Sequence, residues 1–459
     1  MRNYPSLVAR LAVGFFIAAQ SFVALGDDWP QYRGPKLNDR SAETDLLAEW
    51  PKEGPKLTAT FRDAGVGYSG LAVVGDRLYT LGDRGETEYL IAVDLTSATG
   101  GELKQAQFKE AWATELGAKF DFKGNQWSAG PSSTPTVDGK FIYALSGNGL
   151  LACVAAADGK KQWEVDLPKE LEAQVNPIGG GPKNLGWGFT WSPLVVGDQL
   201  ICLPGGPKGT VAALEKKTGK VIWRSTELAE QAAYTSPTPA EIGGVRQYVV
   251  LTNQGIRGLK ADDGKLLWKH DHKLGTEVVS SPIVDPAPLA FANETKVSVG
   301  PATVTIYITV GTANGNEAIR VSRSGQEYPI EKLYVGNNLA NHHGNVVFYD
   351  GHVYGSGAGR GFGCQKLATG EIVWTERKIT TGSATFADGK LYCYAEQDGA
   401  VTLIDADPKQ ANIRGRFTIP EQSKSKKTNG KIWTPPVVSG GRLFLRDQEL
   451  VFCFDVKTK

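Results

Sequence analysis

A glycine followed four residues later by a tryptophan recurs along the chain, and this spacing constrains the fold more than any other feature. The motif stands in "KKTGKVIW" and in three similar segments, as Gly159 and Trp163, Gly219 and Trp223, Gly264 and Trp268, and Gly370 and Trp374. A fixed internal spacing found four times indicates a repeat architecture, in which each copy builds the same small structural unit.

Each tryptophan ends a longer unit. A unit opens with a small polar residue, often before a proline, and continues through an apolar strand, a Gly/Asp turn and a second strand. Alternating apolar residues with GD, DG or GG turns predict β-hairpins. A third strand, such as "LLACVAA", follows in most units, and the segment with the glycine and the tryptophan makes a fourth strand. The opening pattern occurs eight times, starting at Tyr68, Ser132, Thr190, Tyr234, Ser280, His342, Gly382 and Trp433.

Eight units of four antiparallel strands predict an all-β fold, an eight-bladed β-propeller. A solenoid is the alternative, but it needs capping ends that the sequence does not show. The last unit stops after its third strand, and "KLTATFRD" at residues 56–63 can supply the missing fourth strand. We therefore expect an N-terminal strand to complete the last blade, which closes the ring and removes exposed sheet edges.

The repeated tryptophans are predicted to be structural. The glycine permits a tight turn between the third and fourth strands, and the tryptophan can cover the turn of a neighbouring blade. A large aromatic side chain buries roughly 150–250 Å² and so stabilises such a seam strongly. The predicted seam residues are Trp163, Trp223, Trp268 and Trp374.

The first 26 residues have the pattern of a secretory signal. Arg2 and Arg10 give a positively charged start. An apolar run follows, and small residues stand before Asp27. A transmembrane anchor is the alternative, although the run is short for a span. We expect residues 1–26 to be a signal peptide, residues 27–56 an N-terminal extension and residues 57–459 the propeller domain. The protein is then exported, periplasmic or secreted, without a transmembrane segment after signal removal.

Composition narrows the range of partners. Without Arg2 and Arg10, the 50 lysine and arginine residues fall to 48, against 49 aspartate and glutamate residues. This balance gives no general attraction to nucleic acid or acidic lipid, and we expect a monomer. The five cysteines lie in apolar strand segments and indicate small buried side chains, although a disulfide within one pair stays an open alternative.

The segment "AALEKKTGKVIW" at residues 212–223 resembles the repeat of the pyrroloquinoline-quinone-type (PQQ-like) propellers. That family includes quinoprotein alcohol dehydrogenases and a periplasmic lipoprotein of outer-membrane protein assembly. The opening "DWPQYRGP" at residues 28–35 resembles the start of many exported members. The resemblance covers nearly the whole chain after the signal and implies the propeller fold, but fold does not determine chemistry.

For the enzymes of that family, the resemblance implies a calcium ion held by carboxylate and amide side chains, a catalytic aspartate and a tryptophan beneath the quinone. Many of those enzymes also contain a disulfide between adjacent cysteines. This sequence has no Cys-Cys pair, and no motif assigns the aspartate or the calcium ligands. We therefore expect no catalytic residue, no metal site and no cofactor, with PQQ and calcium kept as the alternative. The lack of a cysteine near the cleavage point counts against close similarity to the assembly lipoprotein.

Candidate binding residues concentrate on one face of the predicted propeller. The loops between second and third strands and the connections between blades share this face, and long insertions fall there at residues 117–130, 168–188 and 311–341. Aromatic and charged side chains that converge on a central channel can bind a planar or sugar-like ligand; otherwise the polar tips are solvated and the aromatics cap the core. The candidates are Tyr68, Asp83, Arg84, Trp187, Trp191, Tyr234, His342, His343, Arg360, Glu396, Asp398, Trp433, Arg446 and Asp447.

The two adjacent histidines form the sharpest local feature of this set. We expect His342 and His343 to lie on a strand, so that at most one of them faces the channel. A metal site would need further ligands from other blades, and a hydrogen-bonded structural role is the simpler interpretation.

The preferred functional prediction is an exported, non-catalytic binding or scaffold module that holds a protein or carbohydrate partner on its loop-rich face. One alternative is a PQQ-dependent dehydrogenase. The other is a cell-envelope protein assembly factor. The candidates come from separate blades, and no spacing among them is diagnostic of catalysis.

Overall fold

A computed structural model describes residues 28–99, 106–178, 186–275, 279–287, 300–311, 315–357 and 359–458. The predicted signal segment at residues 1–26 lies outside this part. Within it, the chain forms 32 strands and one short helix, α1 (Leu167–Leu171), which makes the fold all-β as predicted. In the same residues, no helix has the length and apolar character needed to cross a bilayer.

The first half of the described chain contains the strands of four complete units, preceded by one separate strand. In chain order these are β1 (Lys56–Phe61), β2 (Ala72–Val74), β3 (Arg77–Arg84), β4 (Thr87–Thr99), β5 (Gln107–Ala118), β6 (Thr136–Asp138), β7 (Phe141–Leu145), β8 (Leu150–Ala155), β9 (Lys161–Asp166), β10 (Leu194–Val196), β11 (Gln199–Cys202), β12 (Ala212–Glu215), β13 (Val221–Arg224), β14 (Thr238–Ile242), β15 (Val245–Leu251), β16 (Gly255–Lys260) and β17 (Leu266–Asp271).

The second half continues the same pattern, and its last unit has only three strands of its own. These are β18 (Ile283–Asp285), β19 (Thr303–Val310), β20 (Gly315–Ser322), β21 (Ile330–Gly336), β22 (Val347–Tyr349), β23 (His352–Gly357), β24 (Gly361–Lys366), β25 (Ile372–Glu376), β26 (Gly382–Ala387), β27 (Lys390–Ala395), β28 (Ala400–Asp405), β29 (Ile413–Thr418), β30 (Val437–Ser439), β31 (Arg442–Asp447) and β32 (Leu450–Asp455).

Antiparallel pairing arranges these strands in sets of four. Over the described residues, six sets are separate four-stranded sheets, and the remaining strands form one eight-stranded sheet in the order β2-β3-β4-β5-β1-β32-β31-β30. The eight-stranded sheet consists of the first and last units, joined by a single parallel pairing of Thr60 with Gln107. Divided at that pairing, it yields two further sets of four, which matches the arrangement expected for the propeller.

The N-terminal strand closes the ring. In β1, Leu57 pairs with Phe454 and Phe61 pairs with Val451, so β1 is the fourth strand beside β32. This confirms the predicted closure by a strand from the other end of the chain. The pairing leaves neither β1 nor β32 as an open sheet edge.

The small polar residues that open the units connect adjacent inner strands. The backbone N–H of Thr134 donates to Ser192 Oγ, that of Ser192 donates to Ser236 Oγ, and that of Ser236 donates to Ser281 Oγ. Each bond crosses from one unit to the next around the channel. Serine or threonine recurs at this position because its hydroxyl satisfies a buried backbone donor of the preceding unit.

The Gly-x-x-x-Trp motif acts across units. A β-carbon placed on Gly219 (φ +74°) would lie 2.8 Å from the indole of Trp163 in the preceding unit, and Trp163 Nε1 donates to Lys216 O at 3.0 Å. Trp223 lies against Gly264 in the same way. Glycine is therefore required at these turns both for the left-handed backbone and for the space that the ring occupies.

The other seam residues vary in their contacts. Trp374 Nε1 donates to Asp407 O, whereas Trp268 is buried and donates to Gln247 Oε1 within its own unit. Trp163, Trp223 and Trp374 are half-buried. Two positions without the motif also place a ring on a glycine of the next unit, Trp112 on Gly159 and Tyr334 on Gly370.

All five cysteines are buried and free, so none is bridged. They are Cys153, Cys202, Cys364, Cys393 and Cys453. Burial raises the pKa of the Cys153 thiol to about 11 and that of Cys364 to about 11, which keeps both protonated. They act as small core side chains, as the strand segments around them indicate.

Candidate functional site

The N-terminal segment before β1 enters the central channel from the face that carries the turns between first and second strands. Trp29 forms a bridge with Val73 near the end of β2, and the Ser41 N–H donates to Phe386 O near the end of β26. Between these points, Arg33 reaches the carbonyl of Pro282 just before β18. Residues 28–41 therefore form a plug that fills one end of the channel.

A buried ion pair forms the centre of the plug. Arg33 Nε lies 2.6 Å from Asp39 Oδ2, and each side chain is only 4% exposed. The other carboxylate oxygen accepts a hydrogen bond from Asn345 Nδ2. Desolvation raises the pKa of the Asp39 carboxyl, and the adjacent Arg33 charge opposes that rise.

The channel is open on the other side of the plug and forms a pocket of about 560 Å³. Tyr32 lines its inner end, and its hydroxyl donates to Asn345 Oδ1 at 2.8 Å. Because Arg33 and Asp39 fill the channel behind Tyr32, the pocket is closed at this end. Its size falls within the roughly 300–1,000 Å³ typical of small-molecule sites.

Aromatic rings from distant parts of the chain form a continuous belt along one wall of this pocket. Ring centroids are 4.9 Å apart for Tyr68 and Trp433, 4.1 Å for Trp433 and His343, 3.9 Å for His343 and His342, 6.2 Å for His342 and Trp187, and 5.0 Å for Trp187 and Tyr234. The rings of His343 and Trp433 are nearly parallel, at 17°. All six side chains were candidates from the sequence, and the fold brings them together on one wall.

A charged pair adjoins the belt. Lys431 Nζ lies 2.5 Å from Glu396 Oε1, and Trp433 Nε1 donates to Glu396 Oε2 at 3.0 Å. Both Glu396 and Lys431 line the pocket. The pair places an acceptor and a donor side by side on the wall without adding net charge.

Both adjacent histidines line the pocket, which corrects the expectation that at most one would. Residues 341–346 are not in a strand: they form a bend in which Gly344 has φ +70°. The alternation of side chains along a strand therefore does not apply there. Burial, with the neighbouring His342 and Lys431, lowers the pKa of His343 well below its usual value, so this ring is neutral near pH 7.

Several residues of the pocket were not among the candidates from the sequence. Tyr32 comes from the N-terminal extension, Trp127 is 51% exposed and comes from the insertion at residues 117–130, and Lys431 stands two residues before Trp433. Small polar side chains also line the pocket wall: Asn125, Ser128, Ser132, Thr134, Thr190, Ser236 and Thr381.

The position of a residue relative to the serines that link the inner strands predicts part of this wall. Ser192 and Ser236 are two of these linking serines. Thr190 stands two residues before Ser192, and Tyr234 stands two residues before Ser236. Both Tyr234 and Thr190 line the pocket. Trp191, one residue later, is fully buried in the core instead. Side chains on successive extended residues point to opposite sides, so the residue two before the linking serine is the one that faces the channel.

The remaining candidates lie outside the pocket. Arg84 pairs with Glu110 and Asp63, Arg360 donates to Asn338 Oδ1, and Asp398 is exposed. These three positions have ordinary surface contacts. They do not form a common site with the aromatic belt.

Arg446 and Asp447 are buried rather than presented on the loop face. Arg446 contacts carbonyls of the first unit, including that of Ser69, and so holds the seam where the ring closes. One oxygen of Asp447 accepts from the Ser423 N–H and from Lys426 Nζ. The sequence predicted that these two side chains would lie at the loop end of β31 and face a partner. Because they are buried and bonded within the protein, their role in the structure is to hold the fold.

Asp83 belongs to a buried carboxylate pair that does not line the pocket. It stands opposite Glu88 in the β3–β4 pairing, and Glu88 accepts a hydrogen bond from the Gly147 N–H of the next unit. Burial raises the pKa of Asp83 to about 7, and burial together with Asp83 raises the pKa of Glu88 well above its usual value. Asp83 therefore titrates near neutral pH.

We expect Asp83→Asn to change the pH dependence of stability. Between about pH 4 and pH 7, folded Asp83 retains a proton that the unfolded chain has released, so its contribution to stability falls as the pH rises through that window. The amide does not titrate, so the variant should gain stability relative to wild type on going from pH 5 to pH 8, by about 2–3 kcal/mol, because about two pH units separate pH 5 from the folded pKa of Asp83.

Urea unfolding of both proteins at pH 5 and pH 8 checks this expectation. Asp398→Asn is the matched control, because Asp398 is exposed. Parallel pH profiles for wild type and Asp83→Asn would show that Asp83 ionises as an ordinary carboxyl.

The pocket does not fit a calcium-bound quinone. Among the described residues, Glu396 is the one carboxylate that lines the pocket, and both its oxygens are already engaged by Lys431 and Trp433. No group of three or more His, Cys, Asp or Glu side chains in the described ranges could hold a metal ion. The carboxylates of pyrroloquinoline quinone would meet one lysine of the pocket, Lys431, whose charge is already neutralised by Glu396.

Comparison with known proteins agrees with the repeat architecture. A family model described as "Outer membrane protein assembly factor BamB" matches residues 86–299. No curated protein sequence matches the chain.

Solved structures with a similar fold have low sequence identity to the chain. BamB from Moraxella catarrhalis is 14% identical, with 88% of this chain and 98% of that chain covered and a TM-score of 0.55. Quinohemoprotein alcohol dehydrogenase from Comamonas testosteroni is 12% identical, with 94% and 81% covered and a TM-score of 0.61. A europium-containing methanol dehydrogenase is 12% identical, with 91% and 89% covered and a TM-score of 0.57.

At such identities the structural likeness shows the propeller fold alone. The repeat and the family match are properties of the amino-acid sequence itself, so they support the same fold independently. The glycine and tryptophan positions at residues 159–163, 219–223 and 264–268 all fall within the matched residues. The family match thus covers residues 86–299, and the similar solved structures show that the chain has the β-propeller fold.

Proposed function

We propose that the protein is a non-catalytic binding module that holds a ring-bearing group of its partner in the aromatic pocket. The observation that carries this proposal is the continuous belt of six rings along one wall of a pocket that Tyr32 closes at its inner end. Stacked aromatic side chains offer a large, rigid contact area with little loss of conformational freedom. A belt of this kind is suited to binding a planar or cyclic group.

The polar groups of the pocket also support binding rather than chemistry. Glu396 is held between Lys431 and Trp433, so its carboxylate is positioned as a hydrogen-bond acceptor rather than as a free base. His343 is neutral and stacks on Trp433. Each oxygen of Glu396 accepts one hydrogen bond from the protein, which orients the carboxylate on the wall and leaves it able to accept from a ligand hydroxyl.

A role as a partner-binding component of the cell envelope fits the same site. The family model that matches residues 86–299 is described as an assembly factor, which supports attachment to another envelope component. The signal pattern at residues 1–26 supports export. We propose that the protein is exported to the periplasm or the exterior. We also propose that residues 57–459 form a monomeric propeller domain.

Tryptophan fluorescence of the purified protein tests the binding role. Titration with neutral oligosaccharides, aromatic peptides, and PQQ with calcium should show saturable quenching by one class of compound, since Trp433, Trp187 and Trp127 line the pocket. Trp433→Ala should weaken that binding about tenfold or more. Ile222→Ala is the control, because Ile222 is 51% exposed on an outer strand.

Two results would contradict the proposal. One is the lack of saturable binding by every class of compound. The other is alcohol-dependent dye reduction in the presence of PQQ and calcium, which would favour the dehydrogenase alternative.

A further inference from the structure

We propose that the pocket recognises the free end of a neutral glycan chain. This rests on the proposed binding function and specifies the chemical class of its ligand. The proposal follows from the rings, the charge balance, the hydroxyl groups and the closed inner end of the pocket.

The rings suit the less polar faces of sugar rings. A pyranose ring exposes C–H groups on its faces and hydroxyls around its edge, so it stacks on an aromatic side chain while its hydroxyls remain free to hydrogen-bond. The nearly parallel rings of Trp433 and His343, and the rings of Trp187 and Tyr234, provide two such surfaces on one wall.

The polar groups of the wall suit hydroxyls. A hydroxyl both donates and accepts hydrogen bonds, so it is matched by an acceptor and a donor side by side. Glu396 and Lys431 provide that pair, 2.5 Å apart, beside the indole of Trp433. Ser128, Thr190 and other small polar side chains extend hydrogen bonding around the pocket. A purely apolar planar ligand would cover these polar groups without offering them any further hydrogen bond, which costs binding free energy.

The charge balance favours a neutral ligand. Lys431 and Glu396 neutralise each other. His343 carries no charge at neutral pH. An ionic ligand would lose hydration on entering the pocket without gaining an unpaired counter-charge, and that desolvation opposes binding.

The closed inner end favours a chain end over an internal segment. Tyr32 lies across the pocket, with the buried Arg33–Asp39 pair behind it, so a chain cannot pass through. A glycan therefore enters with its terminal unit first. Trp127, 51% exposed, also lines the pocket and can stack on a following unit.

A panel of short linear oligosaccharides tests this proposal by calorimetry. The panel contains neutral chains of glucose, mannose, galactose or N-acetylglucosamine, acidic chains of galacturonate, and aromatic peptides. We expect saturable binding of at least one neutral chain and no binding of the acidic chains. The same neutral chain blocked at both ends by a bulky label has internal units but no free end, and its affinity should fall about tenfold or more.

Variants connect the binding to the pocket. Trp433→Ala should abolish stacking, whereas Trp433→Phe keeps a ring but removes the N–H donor to Glu396, so its loss of affinity should be smaller. Trp127→Ala changes a side chain that is half exposed, so it tests the same surface with little effect on folding. Ile222→Ala, on an outer strand, should bind as wild type does.

The outcomes separate this inference from the proposed function. Binding of aromatic peptides without any neutral glycan would overturn the glycan assignment and leave the binding role intact. Equal binding of acidic or end-blocked chains would overturn the neutral, chain-end specificity. If no compound of any class binds, both proposals are wrong.

Discussion

Asp39→Asn is expected to lower the free energy of unfolding by about 3–5 kcal/mol, because it leaves the buried Arg33 charge without its counter-charge. Arg33 Nε and Asp39 Oδ2 are 2.6 Å apart, and each side chain is 4% exposed. Asparagine tolerates the left-handed backbone at this position (φ 58°), so the loss reflects the removed charge rather than backbone strain.

Denaturant unfolding at neutral pH measures this loss. The informative control is the double variant Arg33→Met with Asp39→Asn, which removes both charges and should recover much of the lost stability. If Asp39→Asn unfolds within about 1 kcal/mol of wild type, the ion pair does not hold the plug. Because Tyr32 precedes Arg33, the single variant should also disturb the inner end of the pocket and weaken ligand binding.

Arg446→Met is expected to destabilise the protein by about 3 kcal/mol or more, since buried carbonyls of two units would lose their donors. The fully buried guanidinium donates to Gln448 O at 2.8 Å, to Ser69 O at 2.9 Å, and to Ala64 O and Gly65 O at 3.2 and 3.1 Å. These contacts join β31 to the loop that follows β1 and to the start of the first unit. Methionine fills similar space but donates no hydrogen bond.

Arg442→Met provides the matched control for this prediction. Arg442 lies on the same strand but is only half-buried, so its replacement should change stability by less than about 1 kcal/mol. Thermal unfolding of both variants should show a clear loss of Tm for Arg446→Met alone. Similar melting of the two variants would mean that Arg446 contributes little to the closure of the ring.

The sequence predicted the candidate site in part. Tyr68, Tyr234 and Trp433 were selected because they stand at the openings of units, and the structure places all three on the pocket. Trp191 was selected for the same reason but is buried in the core, because it stands one residue from the channel-facing position that Thr190 occupies. Side-chain direction in extended chain alternates, so an error of one residue changes the face.

The bend at His342 and His343 shows a second limit. The sequence predicted that at most one ring would face the channel, whereas both line it and stack in series with Trp433. The bend depends on Gly344 and on the interactions around it, including the bond from Asn341 Nδ2 to Gly344 O. Such loop geometry depends on packing against neighbouring units rather than on local periodicity.

The sequence by itself determined the repeat, the antiparallel strands and the closure by β1, because these follow from short-range periodicity and from one strand missing in the last unit. Only the tertiary structure decided which side chains meet in the channel. Tyr68 and Trp433 contact across 365 residues, and Tyr32 reaches Asn345 across 313 residues. No local pattern encodes such contacts, because they exist only once the ring has closed and brought the openings of its units around one axis.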